Sequence, residues 1–240
     1  MEIHPIAHYH GPFTSKFGIP RQSGLAPDVP GHIVFTPPYR HEEAVRGLEA
    51  FDFLWIIWEF SANSPSHDSS TDTTPVDTPP TATRLPLTVR PPRLGGNQRV
   101  GVFASRSPFR PNRLGLSCVH INNIELTEHQ GPVIHVDGAD LMDGTPIYDI
   151  KPYVAYADAH ADARSGFVDT TEWQPLLVEI PDSLADRFSS AELQGLKAAL
   201  AQDPRPQYHN DPNRIYGMPY AGHDIKFRVA DGIAIVLQLS

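Results

Sequence analysis

Short runs of alternating apolar and polar residues, broken every few positions by Gly and Pro, dominate the first 157 residues. A period of two sends successive side chains to opposite faces of a strand. It predicts strands at residues 3–10, 32–36, 85–89, 100–104, 115–124, 133–136 and 147–156. Residues 53–60 are almost all aromatic or β-branched and predict a buried strand. Residues 41–50 carry the one helical pattern of this region, with Glu42 and Glu43 in the first turn, where the helix dipole favours acids. So many short strands in about 150 residues predict a closed or nearly closed β-barrel.

Two segments break the pattern. Residues 61–83 are Ser, Thr, Pro and Asp with almost nothing apolar; they bury too little surface to offset their ordering entropy, and predict a mobile loop. Residues 158–171 are rich in Ala, Asp and Gly and read as a linker. From 172 to 240 the pattern changes. A strand is expected at 176–180 and a short helix from Pro181-Asp182. Ser189-Ser-Ala-Glu192 is a capping box opening a helix that runs to about residue 202. Strands at 226–229 and 233–239 flank Asp231-Gly232, a strong hairpin signal. The expected organisation is a mainly β protein: a β-barrel domain over 1–157, a linker over 158–171, and a small α+β domain over 172–240.

Composition adjusts this picture in three ways. The 25 Pro among 240 residues are about twice the usual share, which argues against a helix bundle. One Cys excludes an internal disulfide framework and a Cys-based zinc site. Cys118, in a strand-like run, reads as a core thiol. The chain starts with no basic-then-apolar leader, and its longest apolar run, 53–57, is far too short to span a bilayer. A cytoplasmic protein with no membrane association is expected.

Charge is unevenly placed. Residues 78–124 contain no Asp, Glu or Lys but seven Arg: Arg84, Arg90, Arg93, Arg99, Arg106, Arg110 and Arg113. That segment is therefore +7 within a chain of −9, leaving −16 elsewhere. A basic island in an acidic protein points to a local anion site rather than a generally sticky surface. Guanidinium suits phosphate, carboxylate and flat bases, so a structured RNA is a fitting partner. Within the island, Ser107-Pro-Phe-Arg-Pro-Asn-Arg-Leu-Gly115 sets two Pro around Phe109-Arg110. Each fixes its own φ and extends the residue before it, giving a rigid loop that presents an aromatic ring and two Arg.

The common cradles are missing: no Gly-x-Gly-x-x-Gly after a strand, no Walker string and no Gly-x-Ser-x-Gly elbow. His4, His8 and His10 share a strand face by parity, yet a four-ligand zinc set is not apparent. Asp137, Asp140, Asp143 and Asp149 surround a Gly-rich turn without the spacing of a calcium loop, and fit turn-forming roles better than Mg²⁺. No metal is expected.

Several longer strings carry a family resemblance: Pro20-Arg-Gln22, Val45-Arg-Gly-Leu-Glu-Ala-Phe51, Arg90-Pro-Pro-Arg-Leu-Gly-Gly96, the 101–115 string, and Asp140-Leu-Met-Asp-Gly-Thr-Pro-Ile-Tyr-Asp-Ile-Lys-Pro-Tyr153. In the tail, Leu200-Ala-Gln-Asp-Pro-Arg-Pro206 and His223-Asp224 add to it. In this order they resemble the TsaA-like family, whose best-known bacterial members are TrmO-type tRNA (adenine(37)-N6)-methyltransferases. The resemblance implies a β-barrel with a small C-terminal domain and a homodimer with S-adenosylmethionine near the subunit interface. It also implies methyl transfer to N6 of threonylcarbamoyladenosine at position 37, in the anticodon loop of threonine tRNA. Cofactor contacts carry over to Pro20, Arg21, Gln22, Arg106 and Leu116, and to Asp140, Leu141, Met142, Asp143, Gly144 and Thr145. Where the family commonly has His-Gln after the strand ending near 60, this chain has Ser61-Ala62.

On that resemblance the remaining roles divide. Asp149 is a candidate base for the N6 proton, beside the substrate's own threonyl carboxylate, and is equally readable as a structural partner of Arg106 or Lys151. Lys151 is a candidate to hold that carboxylate, and Tyr153 to stack on the adenine. Arg90, Arg93, Arg99, Arg110 and Arg113 are candidates for tRNA phosphates or loop bases. The alternative, in another class, is a non-catalytic barrel that binds S-adenosylmethionine or RNA.

Overall fold

A computed structural model describes residues 2–61, 87–91, 98–171, 173–206, 209 and 211–240. The expected mobile loop lies outside the described residues apart from Ser61. The chain is mainly β, as its pattern predicts. The strands are β1 (Ala7–His10), β2 (Pro30–Phe35), β3 (Phe53–Glu59), β4 (Thr88–Val89), β5 (Val100–Gly101), β6 (Leu114–Thr127), β7 (Gly131–Asp137) and β8 (Pro146–Pro152). Six of them close a barrel in the order β1-β2-β7-β6-β3-β8, while β4 and β5 pair as a separate ribbon. All the barrel pairings are antiparallel.

Alternation decides what fills the barrel. Tyr9, Ile33, Leu54, Ile56, Trp58, Val119, Ile134, Val136 and Ile147 point inward and form one core. Each large apolar side chain so buried contributes roughly 1.5–3 kcal/mol. The run at 53–60, expected to be buried, has an open face: Phe53, on its outward parity, is 41% exposed. The outward side chains of a barrel strand meet whatever covers the outside, and among the described residues this face stays partly uncovered.

The second unit is a sheet of β9 (Leu177–Glu179), β10 (Tyr216–Tyr220), β11 (His223–Ala230) and β12 (Ile233–Leu239), in the order β10-β11-β12-β9, with β9 parallel to β12. The β11–β12 hairpin turns at Asp231 and Gly232, both at positive φ (50° and 76°), as a primed turn requires. Helices α1 (Ala155–Asp158), α2 (Asp182–Ala185) and α3 (Ser190–Ala201) complete the set. The capping box forms as predicted: Glu192 N–H donates to Ser189 Oγ, and Ser189 N–H donates to Glu192 Oε2. Ser189 Oγ also donates to Glu192 Oε2 at 2.7 Å, and this bond, with that from Ser189 N–H, holds the Glu192 carboxyl below its ordinary range.

Four expectations need correction. Residues 41–50 form two 3₁₀ turns, not a helix, because Gly47 adopts φ 89° between them. Residues 102–104 are a 3₁₀ turn after the two-residue β5. Past Pro152 the expected strand ends and α1 follows. β10 was not foreseen, since Pro219 and Gly217 break its strand pattern.

One feature matters for function. The loop after β1 contributes Phe13, Ala26 and Val29 to the core of the C-terminal unit. Gln202 Nε2 donates to Leu25 O at 2.7 Å, and Gly195 lets α3 approach Asp28 and Pro30 closely. The C-terminal unit thus buttresses the loop that carries Pro20-Arg-Gln22.

Candidate functional site

Four segments far apart in sequence meet at one side of the barrel. Arg106 Nη1 donates to Gln22 Oε1 at 2.5 Å. One residue on, Cys118 N–H of β6 donates to Ser23 Oγ at 3.2 Å. Gly24 N–H then donates to Gly138 O at 2.9 Å. Pro20 is buried, whereas Arg21 is exposed and reaches Arg205 O at 3.5 Å. A small cavity of about 170 Å³ adjoins this loop, lined by Lys16, Phe17, Ile19, Arg21, Gln202 and Asp203. Sequence reading placed 20–22, 106, 116 and 140–145 in one site, and the fold brings these segments together.

The turn between β7 and β8 is stitched to the start of the chain. Asp143 N–H donates to Phe13 O at 2.8 Å, and Gly144 N–H, at φ 75°, to Tyr9 O at 2.9 Å. Thr145 Oγ1 donates to Met142 O at 2.6 Å. Leu141 and Thr145 are buried, so their side chains are closed to a ligand; Asp140 and Met142 are partly exposed, and Asp143 and Gly144 are exposed. Asp143 Oδ1 also accepts from Gly11 N–H and lies 3.2 Å from His10 Nδ1.

Asp140 faces inward from this turn. Its Oδ1 accepts from Ser117 Oγ at 2.5 Å, and Ser117 Oγ accepts from Trp58 Nε1 at 2.9 Å. Burial pushes the Asp140 carboxyl up; hydrogen bonds from Ser117, its own backbone and the Ser23 amide, together with the nearby Arg106 charge, oppose the rise. Ser23, Ser117 and Trp58 were not foreseen as site residues. A signal existed: on the inward parity of β6, Ser117 is a polar residue between Gly115 and Val119.

Leu116 points out of the barrel and is 55% exposed. Register aligns its neighbours on the outer face. Ile57 pairs with Leu116 on one side and Asp149 on the other; Trp55 lies between Cys118 and Lys151. Phe53 stands edge-on to His120 at 5.2 Å and to Tyr153 at 6.1 Å. Cys118 is therefore on the outer face, half-buried, and not in the core; burial pushes its thiol up. Asp149 Oδ2 lies 3.2 Å from Lys151 Nζ, and Asp149 Oδ1 accepts from Ile150 N–H at 3.0 Å. Between the two partners expected for Asp149, the structure pairs it with Lys151.

The arginines are not equivalent. Arg110 Nη1 donates to Ser105 O at 2.6 Å and Val102 O at 3.3 Å, and its guanidinium sits over Phe103. It organises its own loop. Arg113, at φ 49°, lies 3.3 Å from Glu59, which also accepts from Tyr148 Oη at 2.7 Å. Arg90 and Arg99 are exposed, the latter touching Thr88 Oγ1. Arg93 lies outside the described residues, as does Ala62. Among the described residues, no three His, Cys, Asp or Glu side chains are placed to hold a metal ion.

The Arg106–Gln22 pair, on segments that also bring in Arg21 and Leu116, offers donors suited to a ligand with a carboxylate and a polar base. The model for the N-terminal domain of tRNA-methyltransferase O matches residues 8–159, and that for the TrmO C-terminal domain matches 174–240. The chain is 33% identical over 239 residues to the Escherichia coli K12 tRNA (adenine(37)-N6)-methyltransferase, covering 96% of this chain and 94% of that protein. It is 38% identical over 223 residues to a Pseudomonas aeruginosa protein named as an S-adenosylmethionine-dependent methyltransferase, covering 90% and 87%. The crystal structure of TrmO from Pseudomonas aeruginosa matches with a TM-score of 0.73 at 30% identity, over 100% of this chain and 98% of that one.

Proposed function

Because the chain belongs to the TrmO family, we propose that it is an S-adenosylmethionine-dependent enzyme that methylates N6 of threonylcarbamoyladenosine at position 37 of threonine tRNA. The observation that carries this reading is the convergence of 20–24, 106, 115–118 and 138–145, closed by the Arg106–Gln22 hydrogen bond. Arg21, Gln22 and Arg106 supply the polar contacts to the cofactor, and Leu116 the apolar one. Bound S-adenosylmethionine brings an electrophilic methyl on a good leaving group. The protein's task is then alignment and exclusion of water, an effect of roughly 7–11 kcal/mol in well-oriented systems.

Asp149 shares the outer face with Leu116, one strand apart across Ile57. At a strand spacing of about 4.8 Å their backbones lie about 10 Å apart. Asp149 takes the proton that N6 loses, Lys151 holds the threonyl carboxylate, and Tyr153 offers a ring to the adenine. Arg90, Arg93 and Arg99 meet tRNA phosphates. Such an enzyme works in the cytoplasm; among the described residues no helix is long and apolar enough to cross a membrane.

The partly uncovered outer face of β3, β6 and β8 suits a second copy of the chain. Phe53, Trp55, Ile57 and Leu116 make it apolar, and monomers rarely leave such a patch open. The homodimer places the cofactor contacts around Leu116 at the edge of the subunit interface. Ile57→Glu would then yield a monomer by sedimentation.

The decisive experiment is nucleoside mass spectrometry of threonine tRNA incubated with the protein and S-adenosylmethionine. A mass gain of one CH2 on threonylcarbamoyladenosine is the expected result. Unchanged nucleosides, with cofactor binding intact by calorimetry, would favour the non-catalytic barrel.

A further inference from the structure

Asp140 is expected to touch the cofactor, but its carboxylate is engaged elsewhere. Oδ1 accepts from Ser117 Oγ, and the next peptide N–H along β6, that of Cys118, donates to Ser23 Oγ. Ser117 is 1% exposed and is itself oriented by Trp58 Nε1 from inside the barrel. With its single hydroxyl hydrogen given to Asp140, Ser117 meets Trp58 as an acceptor, so the direction of the whole chain is set. Gly24 N–H to Gly138 O ties the same loop to the chain just before Asp140. The residue before Ser23 is Gln22, which holds Arg106. The carboxylate and the buried Ser117 hydroxyl thus set this point of β6, and the Cys118 N–H beside it holds the loop at Ser23.

We propose that Asp140 is a positioning residue for cofactor binding, acting through Ser23 to hold Gln22 and Arg106 in their binding geometry. This rests on the reading that Arg21, Gln22 and Arg106 hold S-adenosylmethionine. An ionised carboxylate is acceptor-only and takes the Ser117 hydroxyl hydrogen. Protonation would place a donor where Ser117 already donates. Burial pushes the Asp140 carboxyl up, while the Ser117 hydrogen bond and the nearby Arg106 charge oppose the rise; losing the ionised form loosens the loop rather than the barrel, which has its own core.

The test compares wild type, Asp140→Asn and Ser117→Ala. Wild-type calorimetry with S-adenosylmethionine comes first; if nothing binds, the cofactor reading fails, while the loop-anchoring claim is judged by hydrogen exchange alone. Asp140→Asn should raise the KM and Kd for S-adenosylmethionine about tenfold or more, the loss expected from a charge-assisted hydrogen bond. The kcat at saturating cofactor should stay within about twofold and the KM for tRNA should not move, because uniform binding alone is lost. The acid limb of kcat/KM for the cofactor, present in wild type, should be absent in Asp140→Asn. Amide exchange at Cys118 and Gly24 should accelerate while β3 and the rest of β6 stay protected. Ser117→Ala, which keeps the carboxylate and removes one donor, should give the same split more weakly, and it carries the test if Asp140→Asn does not fold. Wild-type cofactor affinity in either folded variant, a loss confined to kcat, or an unprotected Cys118 amide in wild type would each overturn the proposal.

Discussion

Arg106 reaches across 84 positions of sequence to donate a hydrogen bond to Gln22 Oε1. The contact joins the arginine-rich segment to the loop after β1, and the C-terminal unit supports that loop from behind through Leu25, Phe13 and Val29. In the proposed function both partners meet the cofactor, and each would then act on it directly and through the other.

Arg106→Ala and Gln22→Ala should each weaken S-adenosylmethionine binding about tenfold or more, and the double variant should lose less than the two combined. Coupling of roughly 0.5–3 kcal/mol is usual for residues in one hydrogen-bonded network. Calorimetry on the four proteins reads it directly. Strict additivity would show that the Arg106–Gln22 bond does not organise the site.

Gly115→Ala tests how the barrel interior supports that site. A Cβ at Gly115 would fall on the indole of Trp58, whose Nε1 donates to Ser117. Overpacking of this kind costs about 1–3 kcal/mol. In a chain of this size that is a drop in Tm of about 2–12 °C. Because a displaced Trp58 also disturbs Ser117 and Asp140, cofactor affinity should fall alongside. An unchanged Tm by differential scanning calorimetry would mean that the indole has room to move.

How much of this was legible in the sequence follows from what kind of signal each feature leaves. Alternation exposed the barrel because inward and outward residues differ in polarity strand by strand. The Ser189–Glu192 cap and the Asp231-Gly232 turn were legible because their chemistry is local. The turns at 42–50 were misread because acids at a helix start look the same before a 3₁₀ turn, and only the left-handed Gly47 separates them. The two uses of Arg110 and Arg90 were also hidden. Composition records that an arginine is present, not that Arg110 turns back onto Val102 O and Ser105 O. The motif strings named segments that the fold brings together, but the contacts of Ser23, Ser117 and Trp58 run between strands and loops that no single string contains.

That distinction gives a prediction about tRNA. Arg90→Ala and Arg99→Ala should each lower the slope of log affinity against log salt by about 1, as the loss of one phosphate contact does. Arg110→Ala should leave the slope in place and instead loosen residues 102–110, seen as faster amide exchange. A lowered slope for Arg110→Ala with the loop still protected would return that residue to the RNA surface.

The outer barrel face carries a row of histidines with an acid at each end. His10 stacks on His32 at 5.3 Å, and His32 faces His135 at 5.9 Å. Asp143 lies beside His10 and Glu125 beside His135, both within hydrogen-bond reach; His120 and Asp137 flank the row. Burial first, then the two neighbouring imidazoles, hold His32 below its ordinary pKa, with Asp143 opposing. The unfolded chain therefore takes up a proton near pH 6.5, a proton that the folded chain resists. Stability is full above that value and is lost as pH falls from about 6.5 through the lowered folded pKa. His32→Gln should flatten the dependence of the urea midpoint on pH across this window. A wild-type midpoint that does not move between neutral and mildly acidic pH would show that the row carries no such strain.

Asp149 is the sharpest test of the chemistry, since it shares a face with Leu116 yet is not tied to Arg106. Asp149→Asn preserves shape and removes the proton acceptor. General-base catalysis typically contributes about 10²–10⁴-fold, so kcat should fall by that order while the Kd for S-adenosylmethionine stays put. Lys151→Ala should act differently: it removes the cation that holds the threonyl carboxylate, so the KM for modified tRNA should rise. The two effects separate because Asp149 acts on the leaving proton and Lys151 on the bound substrate. If Asp149→Asn turns over near the wild-type rate, the proton has another acceptor. The substrate's threonyl carboxylate is then the group left to take it, and Lys151→Ala should depress kcat as well as raise KM, because it would misplace the base itself.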